Sequence, residues 1–382
     1  MKKAGIVTIV DYVNYGNRLQ NYATQEILKS FGFDVETIVN KPFPRLEEKG
    51  IKSLLKRIFN AFLLSPAVML ERLRLKIYNL RFRNKYKEGQ KAKALSFKKY
   101  GTGLINETDF VVSKNNIPAD LGNRYDLFFT GSDQIWNPAI RHGSSFDFLT
   151  FAPKEKRIAL SPSFGVSVIP GQYKTDYKKW LSEMAHLSVR EQAGADIIKE
   201  LTGRDAVVLI DPTLMLTTDQ WLKVSEKARF RPDGKYLLTY FIGTMSPARK
   251  KQIRKLASEN NLELVQLANL EDFKRYDANP GEFIDYIANA ELVCTDSFHA
   301  VIFSMQMKKP FLVFDREGKS SKMSSRLDTL LRKFRFEKRK SNLLSSREEI
   351  FTIDYSGFDD ILGLEREKFN TYLKGVFSSV AQ

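Results

Sequence analysis

Small, polar and charged residues recur directly after predicted strands, where they could bind a ligand or take part in catalysis. They are Asn14, Gly16, Asn17, Gly131, Ser132, Asp133, Ser163, Gly165, Arg190, Thr295, Asp296, Ser297 and His299. In open α/β sheets, ligands bind beyond the carboxyl ends of the strands. Because these residues come from both halves of the chain, they predict one site in a cleft between two domains.

Two of these residues could carry chemistry. His299 is an acid or base candidate, because imidazole titrates near neutral pH; the alternative is a structural histidine. Arg190 could clamp a carboxylate or phosphate, since a guanidinium forks onto such anions. The alternative for Arg190 is a surface pair with the neighbouring Glu191.

Further residues have a binding and a structural interpretation. Asp133 could act as a base or orient a sugar hydroxyl, or it could cap the following turn. Trp136 could stack on a sugar ring or pack in the core. Gly16 and Asn17 could let backbone amides approach an anion, although the dinucleotide fingerprint is absent. No histidine has metal-ligand spacing to a carboxylate or cysteine, so we predict no metal site.

The elements that must position these residues follow an α/β pattern. A strand at 6–10, a helix from about 18 to 30 and a strand at 33–39 form an opening βαβ unit. Further strands are predicted at 125–130, 157–160, 186–191, 207–210, 236–242, 263–267, 292–295 and 311–314. The predicted fold is two facing Rossmann-like doubly wound domains, at 1–215 and 216–350, followed by C-terminal helices at 351–382.

The positive charge of the chain is concentrated in one segment. Of the net charge of +16, residues 51–100 contribute twelve, with fourteen Lys or Arg and two Glu. Apolar residues at helical spacing on both sides of Pro66 predict a basic helical hairpin at about 45–100, inserted into the first domain. This hairpin could dock on an anionic membrane through residues 51–99, or be a solvated element packed on the first domain.

Composition excludes several classes of protein. The single cysteine, Cys294, rules out an intramolecular disulfide framework and a Cys-rich zinc site, and we expect it to be a buried thiol. No nucleic-acid-binding module accompanies the basic segment, so no nucleic-acid partner is predicted. Asp11 interrupts the N-terminal apolar run too early for a signal peptide, and no apolar run could span a bilayer. We expect a cytoplasmic protein, with peripheral docking on the inner face of the cytoplasmic membrane left open.

Six ordered motifs resemble those of the polysaccharide pyruvyl transferase family. The N-terminal stretch 14–23 (NYGNRLQNYA) and the loop 131–138 (GSDQIWNP) are similar to two of its signatures. The blocks 161–165 (SPSFG), 188–191 (SVRE) and 211–213 (DPT) follow in the family's order. The block 295–300 (TDSFHA), with 309–311 (KPF), resembles its C-terminal motif.

The resemblance implies a GT-B-like pair of domains that transfers pyruvate from phosphoenolpyruvate to a sugar and forms a ketal. The acceptor would be a polysaccharide sugar or a lipid-linked oligosaccharide, and no cofactor beyond the donor substrate is expected. We predict catalytic roles for His299, Arg190 and Asp133. Predicted substrate contacts are Asn14, Gly16, Asn17, Ser132, Gln134, Trp136, Ser163, Gly165, Ser297, Phe298, Arg316, Lys319 and Arg326.

One position departs from the family pattern. Ser297 stands where some members carry an arginine two residues before the histidine. A cation from the loop after the last strand could replace it, namely Arg316, Lys319, Lys322 or Arg326. Alternatively, the loop is a solvated basic surface or the donor differs from phosphoenolpyruvate. A glycosyltransferase that uses a nucleotide sugar and a non-catalytic basic membrane-binding protein are the competing functions.

Overall fold

The computed structural model describes residues 1–41, 66–317, 325–344 and 346–380, with the backbone alone for 66–82, Ser325 and Val380. The strands are β1 (Lys2–Val7), β2 (Phe33–Thr37), β3 (Leu127–Thr130), β4 (Arg157–Ala159), β5 (Ser188–Val189), β6 (Val207–Val208), β7 (Tyr236–Tyr240), β8 (Glu263–Leu267), β9 (Leu292–Thr295) and β10 (Phe311–Val313). The apolar runs predicted all of these strands, with ends that differ by a few residues at most.

The strands form parallel sheets, one set in each half of the chain. The first sheet has the order β2-β1-β3-β4 and the second has the order β10-β9-β7-β8. The short strands β5 and β6 pair in parallel beside the first sheet, where the amide of Ala159 donates to the carbonyl of His186. Strands β3, β7 and β9 are buried along their whole length, as expected for parallel sheets covered on both faces. The prediction of two Rossmann-like domains is confirmed.

Helices connect the strands and cover the sheets. They are α1 (Tyr15–Ser30), α2 (Pro66–Gly101), α3 (Pro138–Arg141), α4 (Gly171–Ser182), α5 (Gln192–Thr202), α6 (Thr218–Lys223), α7 (Pro247–Glu259), α8 (Pro280–Ala288), α9 (Phe298–Gln306), α10 (Ser325–Lys333), α11 (Arg347–Phe351) and α12 (Phe358–Val380). The strand pattern did not predict α8 or α9. Helix α10 begins inside the segment that the sequence indicated as a loop.

Helix α1 joins the first domain to the second. Asn14 caps the helix by accepting a hydrogen bond from the amide of Asn17. At the same end, the ring of Tyr15 stacks on Phe283 of α8 with the centroids 4.4 Å apart. Tyr15 also meets Tyr240 of β7 edge to face. An apolar contact between the domains therefore lies directly beside the loop that follows β1.

The basic insertion also spans both domains. Its second predicted arm is α2, whereas its first arm lies outside the described residues. Gly89 packs so closely on Tyr276 of the second domain that an added Cβ would lie 2.6 Å from that ring. The Tyr100 hydroxyl donates to the carbonyl of Val224. The packed alternative is thus realised in α2, with contacts to the second domain as well, and membrane docking stays a prediction.

The C-terminal helix returns to the first half of the chain. The Tyr372 hydroxyl donates to the carbonyl of Ala159 at 2.7 Å, and Arg366 donates to the carbonyl of Leu214. The ring of Phe377 contacts Phe33 of β2. Helix α12 therefore ties the end of the chain to the first domain. Within the described residues, no helix combines the length and apolar character that crossing a membrane requires.

Candidate active site

A cluster of buried charged residues lies where the two domains meet. It comprises Asp133, Arg190, Asp211, His299 and Arg326, here called the interdomain cluster, and each member is less than one tenth exposed. Asp133, Arg190 and Asp211 follow β3, β5 and β6 of the first domain, whereas His299 and Arg326 begin helices of the second. The structure brings the imidazole of His299 and the guanidinium of Arg190, which come from opposite halves of the chain, together around Asp211.

Asp211 is at the centre of this cluster. Its Oδ2 accepts hydrogen bonds from Arg190 and from Ser132 Oγ, and lies 3.5 Å from Nε2 of His299. Its Oδ1 accepts from the amide and hydroxyl of Thr213. Burial alone would raise the pKa of this carboxyl, but His299, Arg190 and Thr213 outweigh it and hold the pKa well below its usual range. Asp211 therefore stays ionised.

Asp133 lies between the two arginines. Its Oδ1 is 3.5 Å from Nη2 of Arg190 and 3.7 Å from Nη1 of Arg326. Burial opposes ionisation here too, but Arg190, His299 and Arg326 lower the pKa of Asp133. A carboxylate with a lowered pKa is a weak base, so the geometry favours Asp133 as the group that holds the two guanidinium groups in place. The side chain does not cap the following turn.

The two guanidinium groups have hydrogen-bond donors to spare. Nε of Arg190 and Nε of Arg326 are buried without a hydrogen-bond partner in the part of the chain that the structure describes. Both groups lie against the ring of Phe298, at 4.4 Å and 5.7 Å from its centroid. Burial and the charge of Arg190 lower the pKa of Arg326 to about 10. Like charges this close, with unused donors, suit a site that receives an anion.

Gly16 provides the space for His299. A Cβ on Gly16 would lie 1.9 Å from Nδ1 of the imidazole, so only glycine lets the ring lie against the first turn of α1. Nε2, on the other side of the ring, faces Asp211. His299 is thus held between two elements of the first domain although it belongs to the second.

Several predicted residues support the loops around the interdomain cluster. Ser163 donates to Glu191 Oε1, which also accepts from the amide of Phe164. The surface pair of Arg190 with Glu191 is therefore wrong: Arg190 pairs with Asp211, and Glu191 fastens the loop at 161–165. The amide group of Gln134 lies 2.8 Å from Nη2 of Arg326.

A Cβ on Gly165 would lie 2.2 Å from Gln134 Oε1, and Gly165 has the positive φ of 62° that favours glycine. Gly165 thus makes room for the side chain that faces Arg326. Its predicted contact with substrate stays a prediction.

The structure contradicts one predicted contact. Trp136 is fully buried, stacks on Phe148 with the centroids 4.9 Å apart, and donates its indole N–H to the carbonyl of Asp147. It cannot stack on a sugar from that position. The motif gave no sign of this, because a tryptophan beside a binding loop suits either environment.

The other predicted residues lie around the cluster. Asn14 and Ser297 cap α1 and α9, and Asn17 accepts a hydrogen bond from the amide of Asp11. Arg316 lies farther out, with Nε 4.0 Å from Asp296. Lys319 lies outside the described residues. Because Arg326 is 5% exposed, the solvated-loop alternative is wrong for this side chain.

Sequence reasoning missed Asp211 as a site residue. The signal was present, because Asp211 follows the run Val207–Ile210 and thus meets the strand-exit criterion applied to the other residues. The sequence interpretation instead places Asp211 and Pro212 at the end of the first domain. The arrangement as a whole offers one proton-transfer group, one fixed carboxylate behind it and two guanidinium groups with donors available for an anion.

Gly16→Ala tests the contact between the domains. The new methyl group collides with His299, so we expect the free energy of unfolding to fall by about 1–3 kcal/mol, as for other overpacked sites. Gly363→Ala in α12 is the matched control, because its Cβ has no neighbour within 4 Å; it should gain about 0.5–1 kcal/mol. Urea denaturation measures both. Equal stability of Gly16→Ala and the unmodified protein would contradict this packing.

Asp211→Asn tests the charge balance of the cluster. Removing the carboxylate takes away the shortest ion pair of Arg190 and leaves the longer contact with Asp133 at 3.5 Å, so we expect a loss of about 3–5 kcal/mol at neutral pH. A carboxyl with a lowered pKa contributes stability above its unfolded-state pKa of about 3.9 and loses it as pH falls through the folded value. The difference from the unmodified protein should therefore persist above about pH 5 and narrow below about pH 4.

Chemical denaturation across this pH range measures the effect of Asp211→Asn. Asp205→Asn is the control, since Asp205 pairs with Lys199 on the surface with its side chain 89% exposed. Its removal should cost at most about 0.5 kcal/mol. A difference for Asp211→Asn that does not change with acidification would argue against an ionised Asp211.

Comparison with known proteins identifies the family to which this chain is similar. The model of the polysaccharide pyruvyl transferase family matches residues 14–318. No curated protein matches. Among solved structures, the chain is similar to a putative UDP-N-acetylglucosamine 2-epimerase from Listeria monocytogenes, with a TM-score of 0.46 and 10% identity over 97% of this chain and 90% of that one.

It is also similar to the UDP-GlcNAc 2-epimerase of Methanocaldococcus jannaschii, with a TM-score of 0.46 and 11% identity over 95% of this chain and 99% of that one. The apo UGT2 of Phytolacca americana gives a TM-score of 0.44 and 11% identity, with full coverage of both chains. The family model, in contrast, spans well over half of the chain and includes most of the interdomain cluster. The chain belongs to the polysaccharide pyruvyl transferase family, which supports a role in pyruvyl transfer.

Proposed function

We propose that this protein transfers the pyruvyl group of phosphoenolpyruvate to two hydroxyls of a sugar, which then carries it as a cyclic ketal. The observation that supports this most directly is the pair of buried guanidinium groups, Arg190 and Arg326, with unused donors beside the imidazole of His299. A planar carboxylate and a phosphate are the anions that such groups bind best. Phosphoenolpyruvate carries both.

The reaction needs proton transfer and charge stabilisation at one carbon. Protonation of the methylene carbon turns the enol phosphate into an oxocarbenium, which one sugar hydroxyl attacks at C2. Phosphate then leaves with its bridging oxygen, and the second hydroxyl attacks the same carbon. Of the two hydroxyl protons, one is balanced by the proton that forms the methyl group, and the other leaves with phosphate.

His299 is the group proposed to move these protons. It is the titratable imidazole of the cluster, 6% exposed and fixed between Gly16 and Asp211. When the imidazole takes up a proton, the ionised Asp211 at 3.5 Å stabilises the imidazolium. Asp211 thereby orients the ring and stays ionised during the reaction.

Arg326 can take the place of the arginine that some family members carry where this chain has Ser297. Ser297 caps α9 and carries no charge, but the guanidinium of Arg326 reaches the ring of Phe298, the next residue in the chain. We assign the binding of the phosphate or carboxylate to Arg190 and Arg326 together. The acceptor is a sugar of a polysaccharide or of its lipid-linked precursor.

His299→Gln tests the proton-transfer role. We expect kcat for phosphate release from phosphoenolpyruvate, with a panel of sugar acceptors, to fall at least about 100-fold. His186→Gln is the control, since His186 pairs with Ser379 of α12, remote from the cluster in the fold. Thermal unfolding confirms that both variants fold. Equal kcat in the two variants would remove His299 from the mechanism.

Arg326→Gln tests the anion site. Loss of a hydrogen bond to a charged group predicts a KM for phosphoenolpyruvate raised about 10-fold to 100-fold. The control is Arg332→Gln, an exposed arginine on the same helix α10. A KM that responds equally in both variants would place the donor elsewhere.

The same assay distinguishes pyruvyl transfer from the competing glycosyltransferase function. Turnover of a nucleotide sugar, without phosphate release from phosphoenolpyruvate under any acceptor, would replace the proposal by a glycosyltransferase. Release of phosphate only when an acceptor sugar is present is the result that supports pyruvyl transfer.

A further inference from the structure

Among the side chains of α2 that the structure describes, that of Lys93 is shielded from solvent. Lys93 is 3% exposed, whereas Lys91, Lys98 and Lys99 on the same helix are exposed. Its ammonium lies 4.3 Å from the ring centroid of Tyr15 and 5.3 Å from that of Phe97. Among the described residues it forms neither a hydrogen bond nor an ion pair. A buried ammonium without an anionic partner is costly, so its position calls for an explanation.

The ammonium of Lys93 is connected to the interdomain cluster through Tyr15 and Asp11. Tyr15, on which it packs, precedes Gly16, the residue against which His299 lies. Asp11, in the loop after β1, is close enough to feel the charges of both Lys93 and Asp133. The contacts of α2 with Tyr276 and Val224 fix the helix on the second domain as well. Lys93 is therefore held at this place from both sides.

We propose that Lys93 is a third cation of the anion site and binds the carboxylate or phosphate of the substrate. The identity of that anion rests on the proposed function. An ammonium on a flexible stem is a compact point charge that can turn toward an oxyanion when one arrives. Such an anion would supply the charge partner that Lys93 lacks among the described residues. In this way the basic insertion takes part in substrate binding as well as in joining the domains.

The ionisation of Lys93 links anion binding to pH. Burial lowers the pKa of Lys93 to about 7, although Asp11 opposes the shift. An anion favours the protonated amine, so its affinity should fall as pH rises through about 7. The charged group that acts on Lys93 is Asp11 after β1. Asp133 and Arg18 also act on Asp11, and the groups that act on Tyr15, the ring under the ammonium, are Tyr240, Glu282, Tyr286 and Asp277.

The test is calorimetric binding of inorganic phosphate and, separately, of pyruvate to the full chain and to Lys93→Met. We expect the affinity for at least one of the two anions to fall about tenfold, as for the loss of a hydrogen bond to a charged group. Comparing the two arms tells which group Lys93 binds. Lys91→Met, two residues away and exposed, should bind as the unmodified protein does. Affinities within twofold in both arms for Lys93→Met, or no binding of either anion to the unmodified protein, would overturn the inference.

Lys93→Arg extends the test to a variant that keeps the charge. It should retain anion affinity at pH 6 and lose the decline toward pH 8, because arginine stays protonated. If Lys93→Met does not fold, this comparison alone decides, and an unchanged pH profile in Lys93→Arg overturns the inference.

The failure of this inference can be told from failure of the proposed function. Anion binding that depends on Lys93 in a protein that releases no phosphate from phosphoenolpyruvate would sink the function alone. Turnover and anion binding that are unchanged in Lys93→Met would sink the inference alone.

Discussion

The rest of the site depends on one buried carboxylate that contacts groups from both domains. Asp211 accepts hydrogen bonds from Arg190 and Ser132 of its own domain and faces His299 of the other. Charges buried this deeply are tolerated only when they are paired with good geometry. Because one of the partners arrives with the second domain, the full set of contacts exists only when the domains lie together. The relative position of the domains and the ionisation of the groups in the interdomain cluster are therefore linked.

Apolar packing sets the geometry in which this pairing occurs. Helix α1 presents Tyr15 to Phe283 of the second domain and, one residue later, Gly16 to His299. The large side chain of Tyr15 and the lack of one at Gly16 thus place a hydrophobic contact next to the imidazole of His299. Packed interfaces deform little, so the distance between His299 and Asp211 follows from the stacking of aromatic rings nearby. Dispersion and the burial of apolar surface stabilise the contact between the domains, and this packed contact holds the charged groups in a fixed geometry.

The fold could be predicted from the sequence further than the site could. Apolar runs identified the strands, and β8 and β9 have the predicted bounds. The strand-exit rule brought His299 and Arg190 together. A loop motif does not tell which of its side chains point inward, so the loop at 131–138 also suggested Trp136, which lies in the core. Asp211 meets the strand-exit rule but was not selected as a site residue. Lys93 was counted with the solvated lysines, since its burial depends on rings that only the tertiary structure supplies.

The position of Arg326 shows why a motif alone underdetermines such a site. Ser297 accepts a hydrogen bond from the amide of Ala300 and so caps the N-terminus of α9. An arginine there would provide charge but a poorer cap. The chain instead places a guanidinium at the start of α10, where Asp133 and the ring of Phe298 hold it near Arg190. The proposed chemistry requires a positive charge near Arg190, and Arg326 on α10, although distant from Ser297 in sequence, provides it.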